Sequence, residues 1–250
     1  MPPPKISQPT WRDEAEIARF NALAHSWWDP NGPMKPLHRL NPARLAFIRD
    51  EATRHFDREA RTMRPFDGLE LIDIGCGAGL VCEPMARMGF SVLGLDPAEE
   101  NIAIAVNHAE KSGLTIDYRA ATIEQLPGEE MADLVTMLEV VEHVPDVGAI
   151  VAEAARHLKP GGFFIASTIN RTLKAYALAI VGAEYVLRWL PRGTHDWNKF
   201  VTPDEFESHV IAAGLEPAGR RGIVFNPLAG CWALSDDCDV NYFITARKEA

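Results

Sequence analysis

Short apolar segments alternate with helical segments from Gly68 onward, and this alternation constrains the fold more than any other feature of the chain. The segments that predict strands are Leu69–Ile74, Ser91–Leu95, Leu114–Tyr118, Asp133–Leu138 and Phe163–Ser167. The segments that predict helices between them are Leu80–Met88, Ala98–Ser112 and Val147–Leu158. Strands and helices that alternate at this spacing form right-handed βαβ units. We therefore predict an α/β fold with a mostly parallel sheet and helices on both faces.

Further elements are predicted on both sides of this region. Apolar residues at helical spacing predict a helix over residues 13–26, and a second helix is expected to begin after Asn41, with Pro42 in its first turn. Closer to the C-terminus, Thr202 is expected to cap a helix, and Val240–Ala246 predicts a final strand.

Length and composition predict a single domain. The chain has 250 residues, of which 47% are hydrophobic and 24% charged, as is typical of one globular domain with a sizeable core. We expect the proline-rich residues 1–12 to be a disordered tail and residues 13–250 to form the domain. Because 35 acidic residues outnumber 25 basic residues, we expect no nucleic-acid partner.

The cysteines and the N-terminal segment favour a cytoplasmic location. The four cysteines form neither a CxxC pair nor a zinc-ligand pattern, which suits a reducing compartment. The N-terminal residues lack the apolar core of a signal peptide and the arginine-rich character of a transit peptide. No apolar run reaches the roughly 18 residues that a membrane-spanning helix requires.

A glycine-rich turn follows the first predicted strand, where Asp73 leads into Gly75, Gly77 and Gly79. Glycines permit a tight turn and let a ligand approach the backbone, and the helix that follows favours an anionic group at its N-terminus. The third glycine comes two residues after the second, unlike the G-x-G-x-x-G pattern of dinucleotide-binding proteins. The spacing therefore argues against NAD, although turns of this kind also arise for purely local reasons.

Asp96 ends the second predicted strand. An acidic residue at this place can accept hydrogen bonds from both ribose hydroxyls of an adenosine group. The alternative interpretation is that Asp96 only caps the helix that begins near Pro97.

Glu139, Glu142 and His143 follow the fourth predicted strand, at the sheet edge where α/β proteins bind ligands. If this segment turns helically, the three side chains share one face and could hold a divalent cation such as Mg²⁺ that lowers the pKa of a bound hydroxyl. Alternatively, His143 acts alone as a general base, or the segment only leads into the next helix, with Asp146 as its N-cap. Without a cation, the two carboxylates would repel each other and one would stay protonated.

Several motifs outside the glycine turn closely resemble those of the ubiquinone-biosynthesis O-methyltransferases, which are class I S-adenosylmethionine-dependent methyltransferases. The resemblance runs in order from about Ile17 to Tyr242. The motifs that carry it are Trp27-Trp28-Asp29, KPLHRLNPAR at 35–44, EVVEHVPD at 139–146, VGAEYVLR at 181–188, PRGTHD at 191–196 and DVNY at 239–242.

The resemblance implies a Rossmann-like fold with a seven-stranded sheet, N-terminal helices and a helical insertion at about 170–200. It implies that S-adenosylmethionine donates a methyl group to phenolic hydroxyls of a 2-polyprenyl-6-hydroxyphenol and of 3-demethylubiquinol. It also implies a set of cofactor-binding residues. These are Arg44 at the cofactor carboxylate, Asp73, Gly75, Gly77 and Gly79 around the methionine end, Asp96 at the ribose, and Thr122, Ile123 and Leu138 around the adenine.

The insertion carries one apolar stripe at helical spacing, formed by Leu173, Tyr176, Ile180, Ala183, Leu187 and Leu190. Lys174, Arg188 and Arg192 lie towards the side opposite the stripe. The stripe either packs on its own domain or belongs to a lid that closes over an apolar substrate and touches an anionic membrane surface. A polyprenyl tail stays in the bilayer, so we predict reversible attachment to the inner face of the cell membrane. Other ubiquinone-biosynthesis enzymes are further candidate partners.

Two other functions are compatible with parts of the pattern. A methyltransferase acting on nitrogen or carbon would have no comparable need for the cluster at Glu139, Glu142 and His143. A non-catalytic binding module would need neither that cluster nor the intact glycine turn with Asp96. Both alternatives are therefore less favoured than an O-methyltransferase.

Overall fold

The computed structural model describes residues 26–59, 61–177, 196–226 and 230–250. The helices of these residues are α1 (Lys35–His55), α2 (Cys82–Arg87), α3 (Glu99–Lys111), α4 (Val147–Arg156), α5 (Leu173–Ala175) and α6 (Pro203–Ala212). The strands are β1 (Glu70–Ile74), β2 (Ser91–Leu95), β3 (Asp117–Arg119), β4 (Ala132–Leu138), β5 (Leu158–Ile169), β6 (Leu215–Asn226), β7 (Cys231–Ser235) and β8 (Asn241–Lys248). Three 3₁₀ turns lie at Ile123–Gln125, Val141–His143 and Trp197–Lys199.

The strands form one sheet in the order β3-β2-β1-β4-β5-β8-β6-β7. Strands β1 to β5 are parallel, while β8 enters antiparallel between β5 and β6. Strands β1, β2 and β3 follow one another towards one edge of the sheet, whereas β4 and β5 are added on the other side of β1. Such a change in the direction of strand order opens a crevice for ligands at the carboxyl ends of the strands. The predicted α/β architecture is confirmed.

The described sheet has eight strands rather than the expected seven, because β7 pairs antiparallel with β6 at the sheet edge. The residues of β7 alternate between exposed and half-buried. This edge strand has only five residues and is followed by the polar residues Asp236 and Asp237, so the segment gave only a weak sequence signal for a strand.

Helices cover both faces of the sheet because neighbouring strand residues point to opposite sides. On one face, Leu71 of β1 packs in a cluster with Phe47 and Ile48 of α1. On the other face, Ile72 packs in a cluster with Val151 of α4. Full burial of such a side chain contributes about 1.5–3 kcal/mol, so these two clusters fix the strand ends that carry the site.

Helix α1 begins at Lys35 and not after Asn41, and Pro42 lies inside it. Proline cannot donate the hydrogen bond that a helix interior normally uses, but α1 continues because its apolar face is buried against the sheet. Asn41 donates through Nδ2 to the Leu80 carbonyl at 2.9 Å, so it ties α1 to the segment after the glycine turn.

Strand β3 begins at Asp117 and not at Leu114. The Leu114 amide donates to the Ala109 carbonyl at 2.9 Å, and Gly113 has a φ of +68°. Both features belong to the C-terminal end of a helix, so Leu114 completes α3 before the strand starts.

Several predicted segments lie wholly or partly outside the described residues. These are the tail at 1–12, nearly all of the N-terminal helix at 13–26, and residues 178–195 of the predicted insertion. Within the described part of the insertion, Leu173 is 83% exposed and Tyr176 is 44% exposed. No helix among the described residues is long and apolar enough to cross a membrane.

Candidate active site at the carboxyl ends of the strands

The glycine turn connects β1 to α2, and its glycines adopt left-handed backbone conformations. Gly75 and Gly77 have φ values of +70° and +54°. A β-carbon on Gly75 would lie 2.5 Å from Cγ2 of Val140, and one on Gly77 would lie 2.6 Å from the ring of Trp27. Any other residue at these positions would strain the backbone and clash with Val140 or Trp27, so both positions require glycine. The contact with Val140 also shows that the segment after β4 lies directly against this turn.

Asp73 lies at the end of β1 with both carboxyl oxygens engaged inside the protein. It accepts hydrogen bonds from Thr136 Oγ1 at 2.6 Å and from Cys82 Sγ at 3.3 Å. Burial raises its pKa to about 6, against the opposing effect of these hydrogen bonds. Asp73 thus connects β1 to β4 and to the start of α2, and so stabilises the position of the glycine turn.

Asp96 lies at the end of β2 and accepts hydrogen bonds from three groups. Oδ2 accepts from the Gly77 amide at 3.0 Å, while Oδ1 accepts from the Ala98 amide at 2.9 Å and from Asn101 Nδ2 at 3.3 Å. A carboxylate has about four acceptor positions, so one remains for a ligand hydroxyl. Asp96 therefore holds the glycine turn to the start of α3 and can still accept a bond from a ribose.

Arg44 of α1 places a cation beside the glycine turn. The residue is 6% exposed, and its nitrogen Nη2 lies 3.5 Å from Oε1 of Glu139. Its Nε and Nη2 atoms have no hydrogen-bond partner among the described residues. Because a buried donor without a partner is costly, this guanidinium fits an anionic ligand such as the carboxylate of an amino acid.

The residues predicted for the adenine side are mostly engaged in the protein itself. Thr122 and Gln125 form a capping box at the 3₁₀ turn that follows β3. Ile123 is 1% exposed and Leu138 is 8% exposed, each in a different apolar cluster of the core. Leu138 is the last residue of β4 and is thus the nearest of the three to Glu139 along the chain.

Two glutamates follow β4, and each is held by a hydroxyl of β5. Glu139 accepts a hydrogen bond from Ser167 Oγ at 2.7 Å, and Glu142 accepts one from Thr168 Oγ1 at 2.8 Å. Burial and, after it, the charge of Glu139 raise the pKa of Glu142 to about 7, while His143 and the hydrogen bond from Thr168 oppose the shift. Glu142 can therefore change its protonation state near neutral pH.

The predicted metal centre of Glu139, Glu142 and His143 does not form. Among the residues that the structure describes, no three His, Cys, Asp or Glu side chains are arranged to hold a metal ion. The helical turn that would align the three is interrupted, because Glu139 has a φ of +54° and only Val141–His143 form a 3₁₀ turn. The raised pKa of Glu142 agrees with the other expectation, that one of two neighbouring carboxyls stays protonated.

The segment at 139–146 also leads into the next helix, as the alternative interpretation expected. Asp146 is the N-cap of α4 and accepts a hydrogen bond from the Ala149 amide at 3.0 Å. This cap explains the end of the segment but not the burial of Glu142, which is 3% exposed.

An aromatic group borders the site on the side of β5. The 3₁₀ turn at Trp197–Lys199 packs against the one at Val141–His143. Trp197 makes edge contact with Tyr176 at 5.6 Å between ring centroids and lies 6.0 Å from Phe200. These rings provide apolar surface close to His143, which would suit binding of an apolar ligand.

The sequence alone did not identify several residues that shape the site, namely Trp27, Asn101, Thr136, Val140, Ser167 and Thr168. The polar run at the carboxyl end of β5 was a usable signal for Ser167 and Thr168, because ligand contacts concentrate at such ends. Trp27 and Asn101 gave no local signal, since their contact joins positions that are 74 residues apart.

Comparison with known proteins identifies the family. Residues 72–166 match a family described as a methyltransferase domain. Ubiquinone biosynthesis O-methyltransferases from Rhodopseudomonas palustris (strain BisB18) and Bradyrhizobium sp. (strain ORS 278) are 56% and 54% identical to this chain. These similarities cover 95% and 94% of the chain, and 94% and 93% of the two relatives.

A solved structure supports the fold. Magnesium protoporphyrin IX methyltransferase from Synechocystis PCC 6803 with bound SAH is similar over 94% of this chain and 99% of that one, with a TM-score of 0.67 and 17% identity. The predicted Rossmann-like fold is thereby confirmed. The chain belongs to the ubiquinone biosynthesis O-methyltransferases and is an S-adenosylmethionine-dependent enzyme of the class I methyltransferase fold.

Proposed function

We propose that this chain methylates phenolic hydroxyls of polyprenylated catechol and quinol intermediates of ubiquinone biosynthesis, namely a 2-polyprenyl-6-hydroxyphenol and 3-demethylubiquinol. The observation that carries this proposal is the 56% identity to a ubiquinone biosynthesis O-methyltransferase over 95% of the chain. The acid–base groups at the end of β4 support it, because a phenol must lose its proton to become a strong oxygen nucleophile.

The cofactor side of the site consists of Arg44, the glycine turn and Asp96. S-adenosylmethionine supplies an electrophilic methyl group when it is bound. In our proposal Arg44 pairs with the cofactor carboxylate, since Nε and Nη2 of its buried guanidinium have no hydrogen-bond partner among the described residues. Gly75, Gly77 and Gly79 let the cofactor approach the backbone, and Asp96 accepts a ribose hydroxyl. Thr122, Ile123 and Leu138 remain predictions for the adenine side.

On the acceptor side, His143 takes the phenolic proton as general base. Glu142 lies beside it, and the two groups interact electrostatically. An ionised Glu142 stabilises the imidazolium that forms when His143 accepts the proton. Thr168 holds the Glu142 carboxyl in place at 2.8 Å, so that the pair keeps its position while the proton moves.

A methyl-transfer assay tests this proposal directly. The purified enzyme is supplied with S-adenosylmethionine and a short-chain polyprenylated catechol, and the product is analysed by mass spectrometry for its site of methylation. We expect one methyl group on a phenolic oxygen, and no methylation of the matched aniline in which an amino group replaces that hydroxyl. Methylation of the aniline or of a ring carbon in place of oxygen would contradict the proposal and favour the alternative acceptors.

We also propose that the enzyme attaches reversibly to an anionic membrane surface, where a polyprenylated acceptor resides. The described start of the insertion supports this, because Leu173 and Tyr176 are 83% and 44% exposed and begin the predicted apolar stripe. Lys174 beside them is paired with Asp237 and Asp239, so the exposed apolar side chains carry this proposal.

Vesicle flotation tests the attachment. Leu173→Glu should reduce binding to vesicles containing anionic lipid and leave the weak binding to zwitterionic vesicles unchanged. Met63→Glu is the matched control, because Met63 is 90% exposed outside the insertion. Equal flotation of the parent enzyme and the Leu173→Glu variant would contradict the attachment.

A further inference from the structure

The segment before α1 lies against the cofactor side of the site. Trp27 is 8% exposed, and its indole Nε1 donates a hydrogen bond to Oδ1 of Asn101 at 2.8 Å. The ring of the same tryptophan covers Gly77, where a β-carbon would lie 2.6 Å from it. The segment that precedes α1 therefore touches both the glycine turn and helix α3.

Asn101 continues this contact to Asp96. The residue is 1% exposed, and its Nδ2 donates to Oδ1 of Asp96 at 3.3 Å. Three side chains thus form one hydrogen-bonded chain that runs from an indole through an amide to a carboxylate.

The direction of this chain follows from the chemistry of its members. An indole N–H can only donate, while an amide side chain has one accepting and one donating end. Trp27 therefore selects the orientation in which the amide oxygen of Asn101 faces the indole and the NH₂ group faces Asp96. In the reversed orientation, the amide oxygen would face a carboxylate oxygen, which repels it.

We propose that Trp27 and Asn101 are positioning residues for the nucleoside end of the cofactor, because together they orient the Asp96 carboxylate and leave its remaining acceptor position for a ribose hydroxyl. This inference rests on the proposed contact between Asp96 and the ribose. Burial raises the pKa of Asp96, and the hydrogen bonds from the Ala98 and Gly77 amides and from Asn101 oppose this rise. Asn101 thus helps to keep the charged carboxylate, which accepts hydrogen bonds best.

The experiment measures how strongly the enzyme prefers a ligand with ribose hydroxyls. Isothermal titration calorimetry gives the Kd of S-adenosylhomocysteine and of its 2′,3′-dideoxy analogue, and the ratio of the two values reports the contact with Asp96. We expect a clear preference in the parent enzyme, and loss of that preference in Asp96→Ala.

Trp27→Phe keeps an aromatic ring over Gly77 but removes the donor. We expect this variant to weaken binding of S-adenosylhomocysteine roughly fivefold, the loss typical of one hydrogen bond, and to leave binding of the dideoxy analogue unchanged. The KM for S-adenosylmethionine should rise by a similar factor, while kcat at saturating cofactor is retained.

Trp28→Phe is the matched control. Trp28 also donates from its indole, but to the Ala78 carbonyl at 3.1 Å, and it has no hydrogen-bonded path to Asp96 among the described residues. The Trp28→Phe variant should keep the parent's ratio of Kd values, whatever its absolute affinity.

A double-mutant cycle distinguishes loss of the hydrogen-bonded chain from a general loss of packing. If the three groups act as one chain, Trp27→Phe should add nothing to the effect of Asn101→Leu on the ratio of Kd values. Additive effects, or equal weakening of both ligands by Trp27→Phe, would overturn the inference while leaving the proposed ribose contact intact. Absence of any preference in the parent enzyme would instead overturn the ribose contact and, with it, this inference.

Discussion

The two sides of the site hold their carboxyl groups in different ways. On the cofactor side, Asp96 accepts hydrogen bonds from two backbone amides and one side-chain amide. On the acceptor side, Glu142 accepts a hydrogen bond from one side-chain hydroxyl of β5 and one from its own backbone amide, and its pKa is raised to about 7. Several fixed donors keep a carboxylate charged and in place, whereas one rotatable hydroxyl also tolerates the protonated form. The first arrangement suits ligand binding, and the second suits proton transfer.

The two sides of the site are also in contact with each other. Val140 packs on Gly75, and the Arg44 guanidinium lies beside Glu139. Substitutions that affect only one side therefore test whether binding and proton transfer are separate functions of the site.

The largest expected effect is that of His143→Ala on the acceptor side. Removal of the proposed general base should lower kcat by about 100-fold or more, while the Kd of S-adenosylhomocysteine stays within about twofold of the parent value. Steady-state kinetics and calorimetry give the two quantities. His209→Ala serves as the control for loss of a histidine, and a kcat close to that of the parent enzyme would rule out His143 as the base.

The next largest effect is expected from Arg44→Met on the cofactor side. Loss of a charged hydrogen-bonding partner for the cofactor carboxylate should weaken S-adenosylhomocysteine binding by about 10- to 100-fold. Arg39→Met is the matched control, since Arg39 lies on the same helix but is exposed. Equal affinities in the two variants would show that Arg44 does not contact the cofactor.

Glu142→Gln should alter the pH dependence of turnover as well as its rate. Because the ionised carboxylate stabilises the imidazolium, kcat of the parent enzyme should rise as the pH increases through about 7. The variant should lose the part of that rise that Glu142 causes and show a kcat about tenfold lower at pH 8. Glu129→Gln, at an exposed glutamate, should keep the parent's pH profile. A rise of unchanged position in Glu142→Gln would assign it to another group.

The smallest effect concerns stability. A buried carboxyl whose pKa is raised in the folded state stabilises the fold fully below its unfolded pKa of about 4.5, and this contribution is lost as the pH rises through about 7. Glu142→Gln should therefore have a higher free energy of unfolding than the parent enzyme at pH 8, and little difference at pH 4.5. Urea denaturation at the two pH values measures this, and a less stable variant at pH 8 would contradict the assigned burial cost.

Local features of the sequence were enough to predict the glycine turn and Asp96 on the cofactor side. Gly75 and Gly77 were recognisable because a left-handed turn between a strand and a helix requires glycine within a few residues. Asp96 was recognisable because it ends the next strand. Both signals depend on short separations along the chain, which the residue types determine directly.

The acceptor side was only partly predictable. The sequence identified Glu139, Glu142 and His143 but suggested a common helical face, whereas the left-handed backbone at Glu139 breaks that face. The anchoring of the two glutamates to Ser167 and Thr168 depends on the register of β4 with β5, which pairs residues more than twenty positions apart.

By itself, the sequence determined the α/β fold and the glycine turn with Asp96, because alternating hydrophobicity and glycine spacing are local properties. Its short motifs outside the glycine turn carried the resemblance to the family. Only the tertiary structure decided that the pKa of Glu142 is raised to about 7 and that Trp27 reaches Asp96 through Asn101. Burial and long-range contacts set these properties, since the pKa of a carboxyl depends on the solvent and charges around it. No short segment of the chain contains that information.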